Sequence, residues 1–168
     1  MSSRRDDEFV AFAHASAQRL QQAAYLMCRD WHLAQDLTQA TLTKVYLAWA
    51  RIGPTGDRYA YARTVLMRQF LDHRRLRSSG ELTAEHLSEG SRAPSAADPT
   101  TRLTLLQALA TLPARDRAIV VLRYWEDQSV AATAEALGIT AEVVRTRSVR
   151  ALARLRGRLG TDVELLLS

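Results

Sequence analysis

The residues from 130 to 158 hold the pattern most able to do chemistry. A helix-turn-helix brings two short helices close together. It needs a small residue where they touch, a glycine where φ turns positive, and apolar residues on either side. Ala134, Gly138, Ile139 and Val144 stand at that spacing. After the turn, Thr140 caps a helix that carries Arg145, Arg147, Arg150, Arg154, Arg156 and Arg158 against one acid, Glu142. Val144, Ala151, Leu152 and Leu155 give this helix an apolar face. A solvated face usually mixes signs, whereas this one suits a polyanion. Its first turns, placed in a major groove, would bring Glu142, Val143, Thr146 and Arg147 to base edges and the later arginines to phosphates. The plain alternative is a helical hairpin with a glycine C-cap.

A second basic element runs from Arg63 to Arg77 and includes Arg68, Asp72, His73, Arg74, Arg75 and Arg77. It follows the aromatics Trp49, Tyr59 and Tyr61. Arginines that track a backbone beside rings able to stack on bases are the make-up of a single-strand binder. Aromatics at helical spacing are also common in cores, so this signal is weaker than the first.

The elements that must position these residues read as helices almost throughout. Phe9, Phe12, Leu20, Ala24 and Met27 mark a first helix. Leu33, Leu37, Ala40, Val45, Ala48 and Trp49 mark a second, and Tyr59, Ala62, Val65, Leu66 and Phe70 a third. Gly53-Pro54-Thr55-Gly56-Asp57 breaks the chain between the second and third. The composition changes at residues 78–99, which predicts a linker, because structureless stretches of that length are uncommon inside a compact domain. After it, Asp98 and Pro99 start a helix carrying Leu103, Leu106 and Leu109 and ending at Pro113. A further helix carries Ala118, Val121, Leu122 and Trp125, and another runs from Ser129 to Leu137. The reading is an all-α chain of two small helical domains, 1–77 and 100–168, joined by a flexible linker. The apolar residues 163–167 are expected to form a frayed helix that docks on its own domain, the alternative being a signal for a protease or a partner.

Bulk properties agree with these readings. The formal charge is +5 and the pI about 10.0, which favours a polyanionic partner. Lys44 is the one lysine among 23 basic residues, and arginine's planar fork suits phosphate and guanine better than a point charge does. Cys28 is the only cysteine, so an internal disulfide and a cysteine metal site are excluded. His14, His32, His73 and His86 lack metal-ligand spacing, and no nucleophile elbow or phosphate-cradling glycine loop is present. No metal, cofactor or catalytic residue is therefore expected. No apolar run suits a membrane span or a signal peptide, so the expected location is the cytoplasm.

Several stretches together resemble the extracytoplasmic-function group of bacterial RNA polymerase sigma factors, in the short form seen in actinobacteria. Ala34-Gln35-Asp36-Leu37-Thr38-Gln39-Ala40-Thr41-Leu42, then Trp49, Tyr61-Ala62-Arg63 and Asp72-His73-Arg74-Arg75, look like region 2. Residues 108–117, Leu122-Arg123-Tyr124-Trp125-Glu126, Ala134-Glu135-Ala136-Leu137-Gly138 and residues 150–156 look like region 4, the more specific match. The resemblance implies docking on core RNA polymerase, at the β′ clamp helices and the β flap, with Asp36, Leu37, Gln39 and Leu42 on the docking helix. It implies that Trp49, Arg51, Arg58, Tyr59, Tyr61, Arg63, Arg68, Asp72, Arg74, Arg75 and Arg77 open and read a minus-ten element as single strand. The loop from 51 to 61 and the helix from 63 to 77 would carry them. Thr140, Glu142, Val143, Arg145, Thr146, Arg147, Arg150 and Arg154 would read a minus-thirty-five duplex. An anti-sigma factor is a partner the resemblance leaves open; no membrane partner is implied, and the free chain is expected to be a monomer. Ser148 departs from the family's usual leucine and is expected to soften the helix packing unless its hydroxyl bonds back to the helix. The alternative reading is a stand-alone helix-turn-helix regulator, but no dimer helix is evident to match paired half-sites.

Overall fold

A computed structural model describes residues 3–80 and 99–160, with side chains from 103 in the second stretch. The linker from 81 to 98, the Asp98 cap and the docking of residues 163–167 lie outside the described residues. Helix α1 spans Arg4–Cys28, α2 Trp31–Ile52 and α3 Arg58–Ser78. After the linker come α4 (Pro99–Ala110), α5 (Ala114–Val120), a π-helical turn (Val121–Trp125), α6 (Val130–Leu137) and α7 (Ala141–Leu159). Short polar side chains start most of these helices, because each satisfies an orphan backbone N–H of the first turn. Ser3 and Asp6 form a reciprocal capping box on α1. Asp30 caps α2, Asp57 α3, Ser129 α6 and Thr140 α7. The breaker between α2 and α3 is shorter than the loop expected from 51 to 61. Arg51 closes α2 and residues 58–61 open α3, so only Gly53 to Asp57 are non-helical. A Cβ on Gly56 would stand 2.3 Å from the Ile52 carbonyl oxygen, and glycine alone permits that approach.

The first three helices pack around Leu20, Met27, Val45, Leu66, Met67 and Phe70, all buried. This core does not stop at the linker. It continues through Leu109, Leu112, Ala118, Val121 and Leu122 to Ala151 and Leu155, so both halves share one apolar cluster. The two small helical domains expected on either side of the linker pack on each other: α4, α5 and α6 lie directly against α1 and α3. Arg117 ties the halves together. It is buried, and it donates to the carbonyls of Leu109 and Leu112 at 3.0 Å each and to that of Met27 across the interface.

Cys28 sits at the end of α1, where its thiol donates to the Asp30 carbonyl. Burial pushes the thiol from an ordinary 9.0 up to about 12. A thiol pKa raised by folding supports stability below the unfolded value, and this is lost as pH rises from about 9 toward 12. Labelling by a thiol reagent at pH 8.5 is therefore expected to run at least tenfold slower in the native chain than in urea. Equal rates would contradict this burial.

Candidate nucleic-acid interface

The turn between α6 and α7 is built as the residue types demand. Gly138 adopts φ 65°, ψ 37°, the left-handed geometry that ends α6, and its N–H returns to that helix. Ala134 lets α7 approach, and Val144 fills the contact together with Ile119 of α5. Val130, Leu137 and Ile139 close the rim of this small cluster. Ile119 gives the motif a third wall that the sequence pattern did not reveal. Ser148 is buried on the inner face of α7, and its hydroxyl donates to the Val144 carbonyl at 2.6 Å. The bond supplies the internal partner that a serine needs on a packed helix face.

The outer face of α7 carries Glu142, Val143, Arg145, Thr146, Val149, Arg150 and Arg154, all exposed, with Thr140 exposed at the cap. Val149 is 70% exposed; it stands among candidate base readers and was missed because an apolar residue reads as core. Arg147 behaves differently from its neighbours. Its guanidinium donates to Asp116 of α5 at 2.6 Å, so it braces α7 against its own domain.

The expected docking residues divide in two. Asp36 and Gln39 are exposed on α2, whereas Leu37 and Leu42 are only 5% and 7% exposed. The two leucines belong to the core, because they share the inward stripe of α2 with Ala34, Val45 and Trp49. They can hold the docking helix in place but cannot supply its contact surface.

The expected minus-ten residues divide too. Trp49 is buried at 3%, between Phe9, which it meets edge-on, and Phe12, whose ring is tilted to it, with centroids 5.3 Å from each, and the Arg58 guanidinium covers its face at 3.8 Å. Pairs of this kind contribute about 0.5–1.5 kcal/mol each to packing, so Trp49 is structural and is not available to stack on a base. Arg51 donates to the Tyr61 hydroxyl at 2.9 Å, which places both at the α2–α3 corner. Arg68, Asp72 and Arg75 lie exposed along α3; Arg74 and Arg77 are half-buried.

Tyr59 and Arg63 are engaged across the interface. Glu126, just after the π-helical turn, is 2% exposed and points into the first half of the chain. It accepts from Arg19 at 2.9 Å and from the Tyr59 hydroxyl at 3.0 Å, and Arg63 stands 3.8 Å away. Burial, then the Glu126 charge, pushes the Tyr59 phenol well above its ordinary value. Arg63 also donates to the Gln128 side chain at 2.7 Å, while Gln128 donates to the Glu126 carbonyl at 2.7 Å. Arg19 did not stand out in the sequence, and Glu126 figured there only as the end of a stretch resembling region 4. Among the described residues, no cluster of three His, Cys, Asp or Glu could hold a metal ion, and no helix is long and apolar enough to cross a membrane.

Residues 12–79 match the model of Sigma-70 region 2, and residues 108–157 that of Sigma-70, region 4. The RNA polymerase sigma-E factor of Streptomyces avermitilis is 34% identical over 152 residues, covering 90% of this chain and 85% of that protein. The chain belongs to the sigma-70 family of RNA polymerase sigma factors. The sigma-E factor of Streptomyces antibioticus is 37% identical over 128 residues, covering 76% of this chain and 71% of its own. A similar fold occurs in the sigma factor RpoE of Bartonella quintana, solved with the anti-sigma factor NepR. There the TM-score is 0.78 at 22% identity, over 92% of this chain and 98% of that one. The helix-turn-helix thus lies within region 4, and α2, α3 and α1 from residue 12 lie within region 2. As a sigma factor, the chain works with core RNA polymerase and promoter DNA to initiate transcription.

Proposed function

We propose a division of labour along the chain, with residues 1–77 and 100–168 as separate functional units and 78–99 as their connection. Asp36 and Gln39 on the exposed side of α2 contact core polymerase. Arg68, Arg75 and the Arg51–Tyr61 corner follow the minus-ten strand, and Thr146, Val149 and Arg150 on α7 face the minus-thirty-five duplex. The chain supplies no catalytic group and acts in the cytoplasm, where the polymerase supplies the chemistry. The Bartonella RpoE was solved bound to an anti-sigma factor, and a partner of that class is proposed here as well. The observation that carries this reading is the presence of both sigma regions in one chain, each with an exposed arginine-bearing helix.

The two kinds of contact on α7 separate experimentally. Thr146→Ala is expected to change affinity for particular promoter variants by about 1 kcal/mol or more, because base contacts are position-specific. Arg154→Ala should instead weaken all variants alike and lower the salt slope by about one, as loss of a phosphate contact does. Titration of minus-thirty-five duplexes at several salt concentrations checks both. Equal losses across all variants for both substitutions would contradict the assignment.

A further inference from the structure

Val149 sits on a basic helix for a reason that neither packing nor charge supplies. It is 70% exposed, although a β-branched side chain is a poorer helix former than the alanine or arginine that suits a solvated position. Glu142, Thr146, Val149 and Ala153 are all exposed and recur at helical spacing, so they form one ridge along α7. The buried residues Val144, Ser148, Ala151 and Leu155 lie on the opposite side. Arg145 flanks the ridge on one side, and Arg150 and Arg154 flank it on the other. A helix with its side chains is about 10–12 Å across and the major groove about 12 Å wide. The outermost ridge of such a helix meets the groove floor, and the flanking residues meet the phosphate walls. The floor presents donors and acceptors at every base pair but a single kind of apolar group, the C5-methyl of thymine. A valine set against a donor or acceptor takes that group from water without replacing its bond. Against the methyl it strands nothing and gains an apolar contact.

We infer that Val149 makes region 4 select thymine, its side chain covering the C5-methyl of one thymine in the minus-thirty-five duplex. The inference rests on the proposal that the outer face of α7 lies against that duplex. Thr146, one turn earlier, has a hydroxyl as well as a methyl and fits several bases, whereas Val149 has no polar atom with which to accept a substitute. A contact with the polymerase would also bury the valine, but the arginines on both flanks of the ridge favour the polyanion.

The test uses the full chain assembled with core polymerase. Promoter fragments with a randomised upstream element are selected for binding. Each thymine of the preferred element is then replaced in turn by deoxyuridine, which removes the methyl and keeps every hydrogen-bonding group. At one thymine the wild-type complex is expected to bind the deoxyuridine fragment about fourfold more weakly, the worth of burying one methyl group. In Val149→Ala, an exposed substitution that leaves the fold intact, that difference is expected to vanish while other positions keep theirs. Three results overturn the inference: no thymine depends on its methyl in the wild type, the difference persists in Val149→Ala, or Val149→Ala weakens thymine and deoxyuridine fragments equally with the difference intact, as a polymerase contact does. In each of these, uniform weakening by Arg154→Ala leaves α7 on the duplex. If no upstream sequence is selected and neither substitution alters binding, the placement of α7 fails and the inference fails with it.

Discussion

Replacing Arg117 with alanine is expected to lower the unfolding free energy by about 3–5 kcal/mol. The guanidinium is buried and its donors serve the carbonyls of Leu109, Leu112 and Met27. Removing it takes a donor from each of the three, with the Leu109 carbonyl keeping only the Leu112 N–H, at roughly 1 kcal/mol or more per lost bond, and opens a void where the guanidinium lay over the Phe70 ring. Burial, with Arg74 and Arg29 nearby, pushes the Arg117 pKa down to about 10, so the group still carries its charge at neutral pH. That charge is stabilised by carbonyl dipoles rather than by a carboxylate. Arg117→Lys should recover part of the loss, because an ammonium has three donors but lacks the planar fork that spans separate carbonyls. Urea unfolding of the three proteins measures the series; a loss below about 1 kcal/mol for alanine would mean that water replaces the guanidinium at little cost.

Asp36→Arg is expected to abolish association with core polymerase, by a hundredfold or more, while leaving stability within about 0.5 kcal/mol. Asp36 is exposed on α2 and lies apart from the buried stripe, so the fold does not depend on it. Reversing a charge at an interface replaces attraction with like-charge repulsion, which costs several kcal/mol. Gln39→Ala, on the same exposed side, should cost less, because it removes a neutral contact. Binding of labelled core polymerase, alongside thermal unfolding of each variant, decides the matter. Unchanged affinity in Asp36→Arg would remove the docking surface from this side of α2.

Local rules made much of the fold legible. Caps, the Gly53–Asp57 breaker and the Ala134–Gly138–Val144 spacing are dictated by neighbouring residues, and the helices start and stop close to where those rules put them. The doubt over Ser148 also had a local answer, a hydroxyl returning to the carbonyl four residues earlier. Side-chain direction was harder. Trp49 fitted both the inward stripe of α2 and a list of stacking aromatics, and only packing against Phe9 and Phe12 chooses the first. Leu42 shows the same conflict, since a docking helix must turn one side inward to turn another out. The contacts between halves were not legible at all. Arg19 and Glu126 are 107 residues apart, and no period or motif connects them. A basic residue that braces its own domain, as Arg147 does on Asp116, looks in sequence like one that reads DNA.

Run-off transcription with core polymerase and a library of promoter fragments tests the central claim most directly. The chain is expected to confer initiation on a subset sharing two separated elements, with the pure protein alone binding those duplexes weakly. No initiation from any fragment, or tight duplex binding that is indifferent to the polymerase, would contradict it.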